Sequence, residues 1–196
     1  MNLEELTALE NEWLQRQPDT GWAEDRDALY KRIGMYEAWQ EIFCQYVAVA
    51  RKGEIEALKR ALYLAWADCS QAFFLTGIMG IDDKPIKEVL SMVNELAKRG
   101  ELDNELKWML PWYYHINDGY LERFDGFDEL KKVSKGNPFL YEKLCLESSF
   151  DNRGQLGEYW KGIQNNPTGK IDKDKARFFS QLVAKIWKQI LGDHCP

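Results

Sequence analysis

Along most of the chain, apolar residues recur at steps of three and four, the spacing that gathers them on one face of an α-helix. From Ile55 the stripe runs through Leu58, Leu62, Ala65, Trp66, Cys69 and Phe73. Strand alternation cannot produce that spacing. Upstream, Leu29, Ile33, Tyr36, Trp39, Phe43 and Tyr46 form a similar stripe, and Gly53 stands where a left-handed helix cap is expected. Asp82-Asp83-Lys84-Pro85 reads as a helix start, with acids and a proline in the first turn. It leads into Ile86, Val89, Leu90, Val93, Leu96 and Ala97, and stops at Gly100.

The two ends follow the same rule. Leu3, Leu6, Leu9, Trp13 and Leu14 predict a first helix that stops before Pro18. Phe178, Phe179, Leu182, Val183, Ile186, Trp187 and Ile190 predict a last one, from Asp174 to a stop at Gly192. Between them, Glu105 to His115 reads as a helix interrupted at Pro111. Short helices are expected at Phe127–Ser134, Pro138–Glu147 and Leu156–Ile163, with loops at Gly136-Asn137-Pro138 and Asn165–Gly169. The expected fold is all-α: one compact domain over residues 1–196, built from about seven to nine helices.

A more specific pattern appears when Leu64–Asp83 is set against Leu110–Glu129, an offset of 46 residues. Leu64 matches Leu110, Trp66 matches Trp112, Leu75 matches Leu121, Gly80 matches Gly126 and Asp82 matches Asp128. Phe74 and Tyr120, Ile78 and Phe124, Ile81 and Phe127, and Asp83 and Glu129 are similar pairs. Composition alone would yield roughly one or two identities in such a window. The period resembles that of the HEAT and armadillo helical repeats, though no family is identified by it. That resemblance implies stacked helix pairs in a solenoid-like arrangement, with units at 55–100 and 101–147, each covering its neighbour's apolar stripe.

Composition changes this picture little. Hydrophobic residues make up 45% and charged residues 30%, as a globular domain requires. No apolar run is long enough to span a membrane, and the acidic start Met1-Asn2-Leu3-Glu4-Glu5 is unlike a secretory signal, so a soluble cytoplasmic protein is expected. Cys44, Cys69, Cys145 and Cys195 form no CxxC pair, which signals neither a zinc motif nor a disulfide framework. The first three sit among apolar neighbours and are expected to be buried thiols; Cys195, beside the C-terminus, is expected to be exposed.

The net charge of −6 is unevenly distributed. Glu4, Glu5, Glu10, Glu12, Asp19, Glu24, Asp25 and Asp27 face only Arg16 and Arg26 within residues 1–27. Such an end discourages contact with phosphate backbones and favours basic partners. Lys170, Lys173, Lys175, Arg177, Lys185 and Lys188 are offset by Asp172, Asp174 and Asp193, too weak a stripe to track nucleic acid.

Catalytic motifs are scarce. The sequence has no HExxH, EF-hand loop, P-loop, GxGxxG or GxSxG, so no metal, cofactor or catalytic residue is assigned. His194 lies in the tail, which leaves His115, with Asp118 one turn on, as the single pair that could act as a general base. Trp108, Trp112, Tyr113, Tyr114 and Tyr120 crowd around Pro111, and aromatics with nearby acids are the residues that anchor interfaces. The expectation is therefore a non-enzymatic protein-binding domain. Its candidate surface takes in Asp82, Asp83, Trp112, Tyr113, Tyr114, His115, Asp118 and Asp128. In size and acidity such a chain looks like bacterial immunity proteins, which bind and neutralise a cognate toxin. The alternatives are an enzyme with a helical pocket around His115 and Asp118, or a homo-oligomer that buries its surplus aromatics.

Overall fold

A computed structural model describes residues 1–140, 145 and 147–165. Ten α-helices lie among them, eight of seven residues or longer, and no strand. They are α1 (Leu3–Gln15), α2 (Ala23–Ile33), α3 (Met35–Ala50), α4 (Ile55–Ser70), α5 (Phe73–Thr76), α6 (Asp83–Arg99), α7 (Asn104–Ile116), α8 (Gly119–Glu122), α9 (Asp128–Ser134) and, after a 3-10 turn at Pro138–Leu140, α10 (Gly154–Gln164). The helix expected from Asp174 to Gly192, the end of the Asn165–Gly169 loop and Cys195 lie outside the described residues, as does most of the segment expected to be helical at Pro138–Glu147.

α4 is the centre of the molecule. It forms a hairpin with α3 and is covered on other sides by α6, α7 and α10, while α1 packs on α3 and α10. Every residue from Ala57 to Asp68 is buried, so this helix has no solvent face. A helix buried all round is normally apolar throughout, but α4 carries Lys59, Arg60 and Asp68 inside. Those charges must find partners: Asp68 accepts the Ile81 N–H, and Lys59 and Arg60 organise the polar interior described below.

Helix boundaries follow caps. Asn2 and Glu5 form a capping box at α1, and the Asp103 side chain accepts from the Leu106 N–H at α7. The stripe from Leu29 to Tyr46 is divided: Gly34, at φ 72°, ends α2 and starts α3. That left-handed residue turns the chain without breaking the apolar spacing, so the stripe reads through the boundary. The interruption expected at Pro111 does not occur, and α7 continues to Ile116. Its flanking residues, Trp108, Met109, Leu110, Trp112 and Tyr113, are all buried and hold the helix through the proline. Cys44 is exposed on the outer face of α3 rather than buried; Cys69 is half-buried and Cys145 is buried.

Two sets of elements fall 46 residues apart. α4 ends at Ser70 and α7 at Ile116; α5 spans Phe73–Thr76 and α8 spans Gly119–Glu122. Gly80 and Gly126 both have positive φ, at 75° and 84°. No helix among the described residues is long and apolar enough to cross a membrane.

Candidate functional site

The aromatic segment on α7 divides by helix face. Trp112 and Tyr113 are buried, and they pin α7 to α4 and α10. Tyr113 stacks on Trp66 at 4.7 Å between ring centroids, and its backbone carbonyl accepts from the Trp66 indole N–H at 3.0 Å. The Trp160 indole donates to the Tyr113 hydroxyl, and the Trp112 indole to the Tyr159 hydroxyl. Burial pushes the Tyr113 hydroxyl well above its ordinary range, so it stays protonated. These two residues are packing anchors, without the exposure a binding surface needs.

Tyr114, His115 and Asp118 do share a groove of about 490 Å³, with Asn117, Lys135 and Pro138 also on its walls. The Tyr114 hydroxyl donates to Glu122 at 2.7 Å, and the exposed His115 ring lies 5.6 Å from that of Phe139. Asp82 instead lines a smaller depression of about 190 Å³ beside Cys44. Asp83 pairs with Arg123 at 3.2 Å, and Asp128 is exposed at the start of α9. The structure thus gathers three of the eight expected site residues into one groove, and the other five do not line it.

The main polar cluster involves residues the sequence did not single out. Arg60 donates to the Glu10 carboxylate at 3.3 Å, the Tyr46 hydroxyl at 2.9 Å, Thr7, Glu56 and the Asn152 carbonyl. Tyr46 in turn donates to Glu10. Burial raises the Glu10 carboxyl above its ordinary range, against the opposing pull of Tyr46, the Gln155 N–H and Arg60. Nearer the surface, Arg153 grips Glu56 and Glu105 with two bonds each, at 2.6–2.8 Å. Lys59 adds bonds of 2.6 Å to Asp103 and Glu105. Burial opposes the ionised form of Glu105, but Arg153 and Lys59 outweigh it and hold the carboxyl below the usual range.

A depression of about 640 Å³ opens over this second group. Its charges are already engaged with one another, so the arrangement acts as a clasp that ties α4, α7 and the 149–153 loop together. Among the described residues, no group of three or more His, Cys, Asp and Glu side chains could hold a metal ion.

A third feature lies where α2 meets α5. Trp22 is 80% exposed and Leu75 49% exposed, whereas every other tryptophan among the described residues is buried or half-buried. The backbone beneath them is held firmly. Arg26, one turn after Trp22, donates to the carbonyl of Phe74 at 3.2 Å and to that of Pro18. The amides of Gln17 and Gln155 both donate to the Thr76 carbonyl, at 2.6 and 3.0 Å. Trp22, at the start of α2, and Leu75, on α5, are thus carried by two elements that pack together and are cross-braced, and Asp19, Glu24 and Asp25, on either side of Trp22 in sequence, are exposed. The signal in the sequence was a lone aromatic in the polar run from Gln17 to Asp25.

No protein-family profile matches this chain, and neither a curated protein nor a solved structure is detectably similar to it.

Proposed function

We propose that this chain is a non-enzymatic protein-binding domain that engages its partner through Trp22 and Leu75 at the α2–α5 junction. The observation that carries this reading is the 80% exposure of Trp22 in a chain whose other described tryptophans are buried in the core or packed against it. Leaving a tryptophan in water forgoes the burial free energy that folding normally collects from it. Tryptophan is also the side chain most enriched among residues that dominate binding energy. The backbone beside it is braced by hydrogen bonds from Arg26 and Gln17, and a segment already held in place loses less entropy on association.

We also read α4–α5–α6 and α7–α8–α9 as two copies of one helical unit. The matched helix ends, the two four-residue helices and the two positive-φ glycines support that reading. It bears on function through one pair. Leu121, 46 positions after Leu75, is fully buried while Leu75 is half in water. The position that the second unit covers internally is left, in the first, for a partner to cover.

Photocrosslinking in the native host tests the proposal. With p-benzoylphenylalanine in place of Trp22, irradiation is expected to give a discrete adduct with another protein. The same group at exposed Lys52, in the α3–α4 turn, is expected to give none. Identical adducts from both positions, or none from position 22, would contradict it.

A further inference from the structure

The charges around Trp22 specify the chemistry of what covers it. Of the eight acids within residues 1–27, four are engaged within the chain: Glu5 in the α1 capping box, Glu10 in the core, Glu12 with Arg16, and Asp27 with Lys31 and Tyr36, while Glu4 is exposed in the first turn of α1. Asp19, Glu24 and Asp25 remain exposed, on both sides of Trp22 in sequence. Within residues 17–27 the one cation is Arg26, and its guanidinium is turned onto the carbonyls of Phe74 and Pro18. Arg153 and Lys161, which line the same depression as Asp19, are already held by Glu56 and Glu105 and by Asp151 and Glu158. Arg26 offsets one negative charge and presents its donors to the backbone, so the rim stays acidic.

Resting on the protein-binding reading above, we infer that the partner segment is basic and amphipathic, with lysine or arginine beside an apolar anchor. The apolar anchor covers Trp22 and Leu75. The cations meet Asp19, Glu24 and Asp25, and an acidic segment would instead set like charges against them as water is expelled. The same rim repels the phosphates of nucleic acid and of anionic lipid headgroups, which leaves protein as the class of partner. Rim charges of this kind act mainly on the association rate and on specificity, so the interaction should weaken as salt rises.

The test uses the full chain and two labelled peptides, a short lysine–leucine amphipathic helix and its glutamate–leucine counterpart, followed by fluorescence anisotropy. The lysine peptide should bind. Its affinity should fall about tenfold in a D19K/E24K/D25K variant, and by an intermediate factor in D19N/E24Q/D25N, which keeps near-native side-chain shapes. High salt should reduce the wild-type affinity toward that of the charge-reversed variant. Equal binding of the lysine peptide by wild type and both variants, or equal binding of the two peptides by wild type, would overturn the inference. If position-22 crosslinking still captures a protein in that case, only the charge assignment fails. If the crosslink is absent as well, the protein-binding reading fails with it.

Discussion

The Glu10 carboxylate accepts the backbone N–H of Gln155 at 2.9 Å, so a side chain on the first helix caps one that begins 144 residues later in the chain. The contact works electrostatically because a helix N-terminus presents unpaired N–H groups and a partial positive charge. It also explains a glycine. Gly154 has φ 57°, and a Cβ there would collide with the Glu10 carboxyl carbon and oxygens. Only a residue without a side chain lets the carboxylate come so close.

This relationship predicts a coupled pair of effects. Glu10→Ala takes one of the acceptors of buried Arg60, leaves the Tyr46 hydroxyl and the Gln155 N–H buried without theirs, and should cost about 3–5 kcal/mol in denaturant unfolding. Gly154→Ala should also destabilise, through both collision and backbone strain. In the Glu10→Ala background the collision disappears, so the cost of Gly154→Ala should shrink in a double-mutant cycle. Strict additivity would show that the two residues are not in contact.

Arg153 provides a second prediction. It reaches Glu56 and Glu105 at once with a planar fork, a geometry that a lysine ammonium cannot reproduce. Arg153→Lys keeps the charge but should lose about 1–3 kcal/mol, because one carboxylate is left under-bonded in a partly buried site. A loss no larger than that of an exposed arginine such as Arg99 would mean that the clasp is only a surface ion pair.

The third concerns Asp68, buried on α4, where burial lifts its carboxyl to about 6 from an ordinary 3.8. Because the folded pKa is the higher one, folding favours the protonated form. The penalty is present in full above about pH 6 and fades as pH falls toward 4. Asp68→Asn keeps an oxygen to accept the Ile81 N–H, bonded at 3.3 Å in the native chain. It should therefore stabilise the protein at pH 7.5 by on the order of 2–3 kcal/mol and have little effect at pH 4, measured by urea unfolding at both. An equal effect at both pH values would contradict this account.

How much of this was legible beforehand depends on the range of the interaction. Helix α6 was readable at both ends, since Asp82 and Gly100 are local signals and its apolar stripe needs no distant partner. The boundary at Gly34 was hidden because the stripe keeps its phase across it. Pro111 misled in the other direction: a local rule for stopping helices yielded to the burial of its neighbours. The polar cluster could not be read at all. Glu10, Tyr46 and Arg60, with Arg153 joined to them through Glu56, are brought together only by the packing of four segments, and no spacing rule connects them. On α7, the aromatic spacing located Trp112 and Tyr113 on a helix, but which face was solvent depended on α4 and α10. Trp22 is the converse case. Its surroundings in sequence are polar, and that alone was a sign of its exposure.

The most direct test of the central claim, that Trp22 is kept for a partner and not for the fold, pairs a stability measurement with co-purification from the native host. Trp22→Ala should change unfolding free energy by no more than about 0.5 kcal/mol, as exposed substitutions do, while Trp66→Ala in the core should cost about 3–5 kcal/mol. The protein partner that co-purifies with wild type should be lost from Trp22→Ala at unchanged stability. A Trp22→Ala protein that keeps its partner, or that unfolds as readily as Trp66→Ala, would contradict the account.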